Sequence, residues 1–198
     1  MPHSRFSEQI KSLILSRRSV YPTQYSGEVI PHEDIKDILE AAHWAPNHGR
    51  TEPWHFKVFE GAALERLGKV QADLYRELTG PELFQESKFE KLLRRPTEAS
   101  HVIVIIMKRG ENPKIPVIEE VEAVAAAVQN LWLMTTALGY GGYWSSGGVT
   151  YKEAFHHWLE LGEEDKCLGF FYLGVPAGKL PPGRRNAPWD EKVEWVSE

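Results

Sequence analysis

Residues 119–138, EEVEAVAAAVQNLWLMTTAL, decide the fold because they form the longest helical segment of the chain and are apolar almost all round. A helix on a protein surface usually buries one stripe and leaves the opposite face polar. Here apolar side chains fall on nearly every face, from Val121 to Leu138. The segment therefore predicts a helix at the centre of a core or of an interface, and Gly139 is placed to cap its C-terminal end.

The hydrophobic patterns around this helix predict more helices than strands. Helices are expected over residues 7–17, 62–78 and 82–95, from Pro31 to before Pro46, and from Thr150, where Thr150 and Glu153 match the T-x-x-E capping box. Strands are expected over residues 55–60, 102–107 and 168–175, with a short strand after Gly139 and a weak alternation at Val193 and Trp195. This order lacks the regular alternation of a doubly wound sheet, so it predicts a single α+β domain over residues 1–198.

Composition and charge exclude several classes of protein. The chain has 198 residues and a formal net charge of −5, and no basic region stands out, so nucleic acid is not an expected partner. Cys167 is the only cysteine, which rules out an intramolecular disulfide and fits a reducing compartment. The first 18 residues lack the features of a signal peptide. The longest clearly apolar strand-like run, 102–107, is far too short for a membrane span, so a cytoplasmic protein without membrane contact is expected.

Several common catalytic motifs are absent. There is no P-loop, and the Gly-rich segment that begins at Gly139 follows a helix and lacks the third glycine of a dinucleotide fingerprint. The segment 142–147 has one residue too many before its serine for a nucleophile elbow. His156 and His157 are neighbours and point about 100° apart on a helix, so they cannot hold one metal ion together. We therefore predict no metal site and no nucleophile elbow.

Two short segments carry candidate binding chemistry. Arg17, Arg18 and Ser19 end the first helix, where adjacent arginines commonly satisfy the helix dipole, but the same groups could clamp a phosphate or carboxylate. Residues 143–148, YWSSGG, form either an ordinary Gly-rich turn or a backbone that approaches a flat ligand closely.

The connector at residues 45–56, APNHGRTEPWHF, is the third candidate. It is unusually rich in side-chain chemistry for a link between a helix and a strand. Its prolines and Gly49 favour a fixed backbone shape. A structured surface loop with a satisfied histidine explains any single residue here, whereas a preorganised binding loop explains the whole cluster better. Trp132 and Trp158, by contrast, lie in helical patterns and are assigned to core packing.

Together these segments resemble the FMN-dependent nitroreductase family, and most closely its small bacterial NAD(P)H nitroreductases. The resemblance rests on an early R-R-S, an A-P-[ND]-H-x-x-x-x-P-W-H-F loop, a G-[YF]-G-G-x-W-x-S-G segment after a long apolar helix, and a closing strand that ends L-G-x-P. It implies an α+β homodimer with a central, mostly antiparallel sheet flanked by helices, and with the long apolar helix at the dimer core. One FMN would lie at each of two sites on the subunit interface.

The resemblance also implies the roles of particular residues. Arg17, Arg18 and Ser19 would hold the phosphate, ribityl chain and pyrimidine edge of FMN. Trp144, Ser145 and Ser146 would line its ring. Trp44 and His48 would reach the flavin bound by the partner subunit, which would explain the chemistry of the 45–56 connector. Arg184 and Arg185 could add phosphate contacts but are not included in the predicted site.

The implied reaction is two-electron transfer from NADH or NADPH through FMN to a flat acceptor, such as a nitroaromatic or a quinone, by ping-pong kinetics. No catalytic side chain is assigned, because the cofactor carries the chemistry. Ser145 stands where close relatives often carry a basic residue, which puts a preference for NADPH or an anionic substrate in doubt. Two alternatives remain: a specific flavin-dependent dehydrogenase, dehalogenase or oxidase, decided within residues 61–96 and 108–118, or a dimer that binds flavin without turnover.

Overall fold

A four-stranded antiparallel sheet lies at the middle of the structure, a computed structural model that describes residues 4–198. Within this range the strands are β1 (Trp54–Glu60), β2 (His101–Met107), β3 (Gly141–Ser145) and β4 (Lys166–Gly174). The helices are α1 (Arg5–Ser16), α2 (His32–His43), α3 (Ala62–Leu78), α4 (Glu86–Arg94), α5 (Val117–Ala137) and α6 (Glu153–Trp158). The observed order of helices and strands confirms the predicted α+β class.

Strand β2 is central, since it pairs with β1 on one side and with β4 on the other, in the order β1-β2-β4-β3. All of its residues are buried, which confirms that its β-branched run belongs to a strand covered on both faces. The pairing of β2 with β4 shifts register between Ile105 and Ile106, opposite Gly169 and Cys167. The two strands that β2 joins are distant in sequence, so the sheet holds the whole chain together.

The two faces of the sheet carry separate hydrophobic cores, because successive residues of a strand point to opposite faces. Val102, Val104 and Ile106 of β2 pack in a core that includes residues of α3, α4 and α6. Ile103 and Ile105 pack in a second core with residues of α2 and α5. The site described below lies on this second face.

Helix α5 is about 30 Å long, at 1.5 Å per residue. One side of it is fully buried in the second core, through residues such as Val124 and Leu131. The other side is half-buried or exposed within one chain and still consists largely of apolar residues, including Ala126 and Leu133. Helix α5 therefore has more apolar surface than the core of a single chain buries.

Helix α1 has no buried residue at all. Phe6, Ile10 and Ile14 lie on one stripe and are 69%, 41% and 49% exposed. Its N-terminus is capped by the hydroxyl of Ser4, which accepts from the backbone N–H of Ser7 at 3.2 Å. The helix is thus locally well formed, but its apolar stripe has no partner in the described part of the chain.

Three expectations about segment boundaries were wrong. The T-x-x-E match is not a capping box, because α6 begins at Glu153 and the Thr150 hydroxyl donates to the carbonyl of Gly147 at 2.8 Å. The helix expected over residues 82–95 is shorter, because Phe84 and Gln85 have extended backbones and α4 begins only at Glu86. No strand forms around Val193 among the described residues of the tail, where a single 3-10 turn covers Asp190–Lys192.

Candidate functional site

The segment Arg17–Ser19 is joined to the edge of the sheet. Helix α1 ends at Ser16, and the chain then runs beside β3, where Ser19 forms a parallel bridge with Gly142. The N–H of Val20 donates to the Gly142 carbonyl at 2.9 Å, and the Tyr25 hydroxyl donates to the Val20 carbonyl at 2.8 Å. Two segments that are more than a hundred residues apart in the sequence, R-R-S and YWSSGG, are therefore neighbours in one chain.

Trp132 of α5 connects these segments, and its assignment to core packing was incomplete. The Arg17 guanidinium carbon lies 4.4 Å from the centroid of the Trp132 ring. The indole N–H donates to the Arg18 carbonyl at 3.2 Å, and the ring packs edge-on against Phe171 of the core. Trp132 is only half-buried, because its outer face lines a cavity. Helical periodicity identified the residue but could not show that a cavity adjoins it.

The two adjacent arginines have different tasks. Arg18 donates to the carbonyls of Leu15 and Arg17, each at 2.7 Å, and therefore satisfies the C-terminal end of α1. Arg17 points its charge over Trp132 instead. Burial, followed by the nearby charges of Arg185 and Arg18, lowers the pKa of Arg17 from its usual value. Among the described residues, no carboxylate lies within 4.0 Å of Arg17, Arg18 or Arg185. The cluster therefore has a positive charge that an anion could neutralise.

A cavity of about 430 Å³ opens beside Trp132, between α5 and the ends of β3 and β4. Its walls are mostly apolar, and Trp144 and Ser146 from the YWSSGG segment belong to them. The lining residues are Val121, Ala125, Trp132, Trp144, Ser146, Tyr151 and Leu168. A cavity bounded by two indole rings is suited to a flat apolar ligand.

The position of Trp144 depends on Gly169, a residue that the sequence analysis did not select. The Trp144 indole N–H donates to the Leu168 carbonyl at 3.0 Å, which fixes the ring across β4. Gly169 has φ +121°, and a Cβ there would lie 2.4 Å from the Ser145 carbonyl oxygen and 3.1 Å from the Trp144 indole nitrogen. Only glycine leaves room for the indole at this place. The only signal in the sequence was a glycine that interrupts an apolar strand.

The connector after α2 is held in an unusual backbone shape. Gly49, Arg50 and Glu52 have positive φ angles of 63°, 55° and 44°. For the two residues with side chains, such backbones cost on the order of 1 to 3 kcal/mol each. The Glu52 N–H donates to the Asn47 side chain at 3.2 Å, and Gly49 packs so closely on Ile115 that a Cβ would lie 2.7 Å from its Cδ1. The loop is thus preorganised, as its composition predicted.

Trp44 and His48 lie outside the cavity of their own chain. Trp44 is 79% exposed and borders a shallow hollow beside Met134. His48 contacts Glu119, with 2.6 Å between Nδ1 and a carboxylate oxygen. Glu119 and Met134 are each two residues along α5 from a cavity residue, so they point to nearly the opposite side of the helix. The structure therefore brings together Arg17, Ser19, Trp144 and Ser146, whereas Trp44 and His48 lie outside the cavity, beside Met134 and Glu119 near opposite ends of α5.

Ser145 belongs to the predicted site residues but does not line the cavity. It is paired with Phe170 in the sheet, whereas Ser146 is part of the cavity lining.

A larger groove of about 880 Å³ lies between α3 and α4, but charged residues in it, Lys69 and Arg76, both pair with Asp73. Over residues 4–198, no group of three or more His, Cys, Asp or Glu side chains could hold a metal ion, and no helix is long and apolar enough to cross a membrane.

The sheet between two helical layers, with an aromatic cavity beside an arginine cluster, defines an α+β protein whose cavity suits a flat ring and whose arginines suit an anionic group. The model of the nitroreductase family matches residues 14–175. The chain belongs to the nitroreductase family, which confirms the resemblance seen in the sequence, and it is an enzyme of that family.

Individual relatives agree with this assignment. The "Putative NAD(P)H nitroreductase YdjA" of Escherichia coli (strain K12) is 31% identical over 164 residues, 83% of this chain and 86% of that protein. The crystal structure of a nitroreductase-like family protein from Bacillus cereus superposes with a TM-score of 0.80 and 25% identity, over 100% of this chain and 99% of that one. The FMN-dependent nitroreductase NfnB from Mycobacterium smegmatis, solved with NADPH, shares the fold at a TM-score of 0.74 and 20% identity, over 97% and 100% of the two chains.

Proposed function

We propose that the protein is an FMN-dependent oxidoreductase that passes two electrons from NADH or NADPH to flat acceptors such as nitroaromatics or quinones. The observation that carries the proposal is the aromatic cavity of about 430 Å³ directly beside an arginine cluster that no carboxylate neutralises among the described residues. A flat apolar ring and an anionic tail are the two features of a ligand that this combination recognises.

The residues present suit FMN in their chemistry. Trp132, Trp144 and Leu168 offer apolar surface for a ring system, and the Ser146 side chain and nearby backbone N–H groups offer polar contacts. Arg17, Arg18 and Ser19 would supply two cations and a hydroxyl for the phosphate, the ribityl chain and the pyrimidine edge. Arg185 is close enough to Arg17 to lower its pKa, so it belongs to the same cluster and would reinforce phosphate binding, with Arg184 beside it.

When bound, FMN would supply the hydride-accepting and hydride-donating chemistry. The chain's own residues would hold the FMN ring in place. Trp144 is fixed by its hydrogen bond to the Leu168 carbonyl, and Trp132 by its hydrogen bond to the Arg18 carbonyl. The apolar walls exclude water from one side of the cavity. The charge of Arg17 favours electron-rich states of a ligand beside it. One cavity would serve donor and acceptor in turn, so the kinetics are expected to be ping-pong, without a nucleophilic side chain.

We propose that the working form is a homodimer. The apolar stripe of α1 and the outer side of α5 are uncovered within one chain, and a second copy would bury both. Trp44 and His48 face away from the cavity of their own chain, so a partner's cavity is where they could act. We further propose one domain, because both cores share one sheet, and a cytoplasmic location, because the single cysteine fits a reducing compartment.

The test is the absorption spectrum of the purified protein, recorded before and after NADH or NADPH is added without oxygen, and followed by a quinone. We expect a flavin spectrum that bleaches with the nicotinamide and recovers with the quinone. A bound flavin that NADH and NADPH cannot reduce would favour a binding dimer without turnover. Protein that neither retains nor takes up FMN would overturn the proposal. A strong preference for one metabolite over generic quinones and nitroaromatics would favour the specific dehydrogenase.

A further inference from the structure

The contact between His48 and Glu119 has a chemical consequence for the 45–56 connector. The Nδ1 atom of His48 lies 2.6 Å from a carboxylate oxygen of Glu119, on the first turn of α5. An ionised carboxylate has only acceptor atoms, so this short contact requires a proton on Nδ1. Among residues 4–198, Glu119 is also the only carboxylate within 4.0 Å of the His48 ring.

Both partners are rigidly held. The connector around His48 is fixed by its positive φ angles and by the packing of Gly49 against Ile115. Glu119 belongs to the helix that forms one core of the protein, and a carboxylate in the first turn of a helix is stabilised by the helix dipole. His48 is still well exposed, with 64% of its side chain accessible within one chain. The pair therefore fixes one ring nitrogen while most of the side chain stays accessible within one chain.

We propose that Glu119 is a positioning residue that keeps Nδ1 of His48 protonated, so that Nε2 is the nitrogen that meets the ligand in the partner's cavity. Nε2 is then the only ring atom that can gain or lose a proton or change its hydrogen-bond partner. In the neutral ring it accepts a hydrogen bond from a hydroxyl or N–H group of the ligand, and in the charged ring it donates one. The ligand part of this proposal depends on the proposed function, whereas the tautomer part does not.

The experiment uses the full chain with ¹⁵N-labelled histidine and long-range proton–nitrogen NMR spectra over a pH series. A His48→Gln variant assigns the signals of His48 by their disappearance. In the wild-type protein, we expect Nδ1 to keep its proton throughout while the Nε2 signal moves with pH. In Glu119→Gln, the amide can either accept or donate, so the neutral ring should populate both tautomers instead of one.

Glu122→Gln is the matched control, since Glu122 lies on the same helix, is exposed and makes no ion pair among the described residues. It should leave the His48 signals unchanged. A wild-type ring in which Nδ1 loses its proton, or a Glu119→Gln spectrum identical to that of the wild type, would overturn the positioning role. These results are independent of whether the protein binds a flavin.

Adding FMN tests the ligand part separately. We expect Nε2 of His48 to shift more than Nδ1 when FMN saturates the protein. If the absorption spectrum shows bound FMN but neither nitrogen shifts, His48 does not meet the cofactor and that part of the proposal fails. If the protein binds no FMN, the proposed function fails, and the tautomer measurement still decides the role of Glu119.

Discussion

The two groups of predicted site residues are built in different ways. Arg17, Ser19 and Trp144 are attached to the sheet and to α5 by backbone pairing, an indole hydrogen bond and a cation–π contact. Trp44 caps the C-terminal end of α2 and His48 lies in the connector that follows, and both side chains are mostly exposed. The first group lies in or beside a cavity of one chain, whereas the second group lies outside that cavity.

This difference indicates how a binding site can be divided between two copies of a chain. Backbone strain is concentrated in the loop group, at Arg50 and Glu52, and a fold tolerates such strain where a fixed shape has a function. The loop and the cavity point to nearly opposite sides of α5. One copy therefore offers a cavity on one side and a loop on the other, which is the arrangement that a two-fold axis can turn into two equivalent sites.

The largest effect is expected from Gly169→Val, which disrupts the cavity group directly. The new side chain would meet the Ser145 carbonyl and the Trp144 indole, at a φ angle that β-branched residues avoid. We expect the free energy of unfolding to fall by roughly 2 to 5 kcal/mol, through strain and overpacking, and bound FMN to be lost. Chemical denaturation and the flavin absorbance measure the two effects.

Gly178→Val is the control for this change, because a Cβ at Gly178 meets nothing within 4 Å. It should alter neither stability nor flavin content by much. If Gly169→Val keeps full stability and full flavin content, then Trp144 does not depend on the space at residue 169, and the cavity group is less rigid than its contacts indicate.

Arg17→Ala should have the next largest effect, because it removes the cation without disturbing the sheet. A charged hydrogen bond contributes about 1.5 to 3 kcal/mol, so the Kd for FMN should rise roughly 10- to 150-fold. The homodimer should persist in size-exclusion chromatography. Lys11→Ala, in the preceding helix α1, is the control and should leave the Kd within about twofold, as expected for an exposed charge. Unchanged FMN affinity in Arg17→Ala would remove the arginine cluster from the site.

The smallest expected effect is the recovery of FMN binding at half of the sites in a mixed dimer. It tests most directly whether each site is divided between two chains. We expect Trp44→Ala/His48→Ala to lower FMN retention in its homodimer, as Arg17→Ala does, with the dimer intact. Co-expression of the two variants with different tags yields mixed dimers. If each site combines a cavity from one chain with a loop from the other, one of the two sites in a mixed dimer is intact.

The measurement is the ratio of FMN to protein in purified mixed dimers, at an FMN concentration that leaves both variant homodimers largely empty. About half of the wild-type ratio is expected, by the symmetry of a two-fold dimer. If instead each site lies within one chain, every site in the mixed dimer carries one defect, and the ratio should stay as low as in the homodimers. That result would place the cavity and the loop of each site in the same chain.

The fold could be predicted from the sequence where a hydrophobic pattern is compatible with only one structural arrangement. The β-branched run in β2 required burial on both faces, and the length and hydrophobicity of α5 required a central position. Prediction failed where local patterns compete with tertiary contacts. Thr150 matched a capping box, but its hydroxyl satisfies the Gly147 carbonyl of the preceding turn instead.

Only part of the candidate site could be predicted from the sequence, because some of its residues gain their roles from tertiary contacts. Arg17 and Trp144 belong to motifs that can be read along the chain, whereas Trp132, Gly169 and Glu119 gain their roles only from contacts with distant residues. Periodicity assigns Trp132 to a helix without showing that one face of its ring is open. An isolated glycine in a strand indicates a close approach without naming the neighbour.

The central position of β2 also has a consequence for synthesis on the ribosome. Its run of buried apolar residues pairs with β4, which is completed about 70 residues later, so at roughly 5 to 20 residues per second the segment waits several seconds for that partner. Uncharged β-branched segments of this kind readily associate with one another when exposed. Lys108 and Arg109 follow β2 immediately, and their charges oppose such association. In the folded protein, Lys108 pairs with Asp165 and Arg109 pairs with Glu120. The charges that oppose association of the nascent strand therefore later hold the loop after β2 in place.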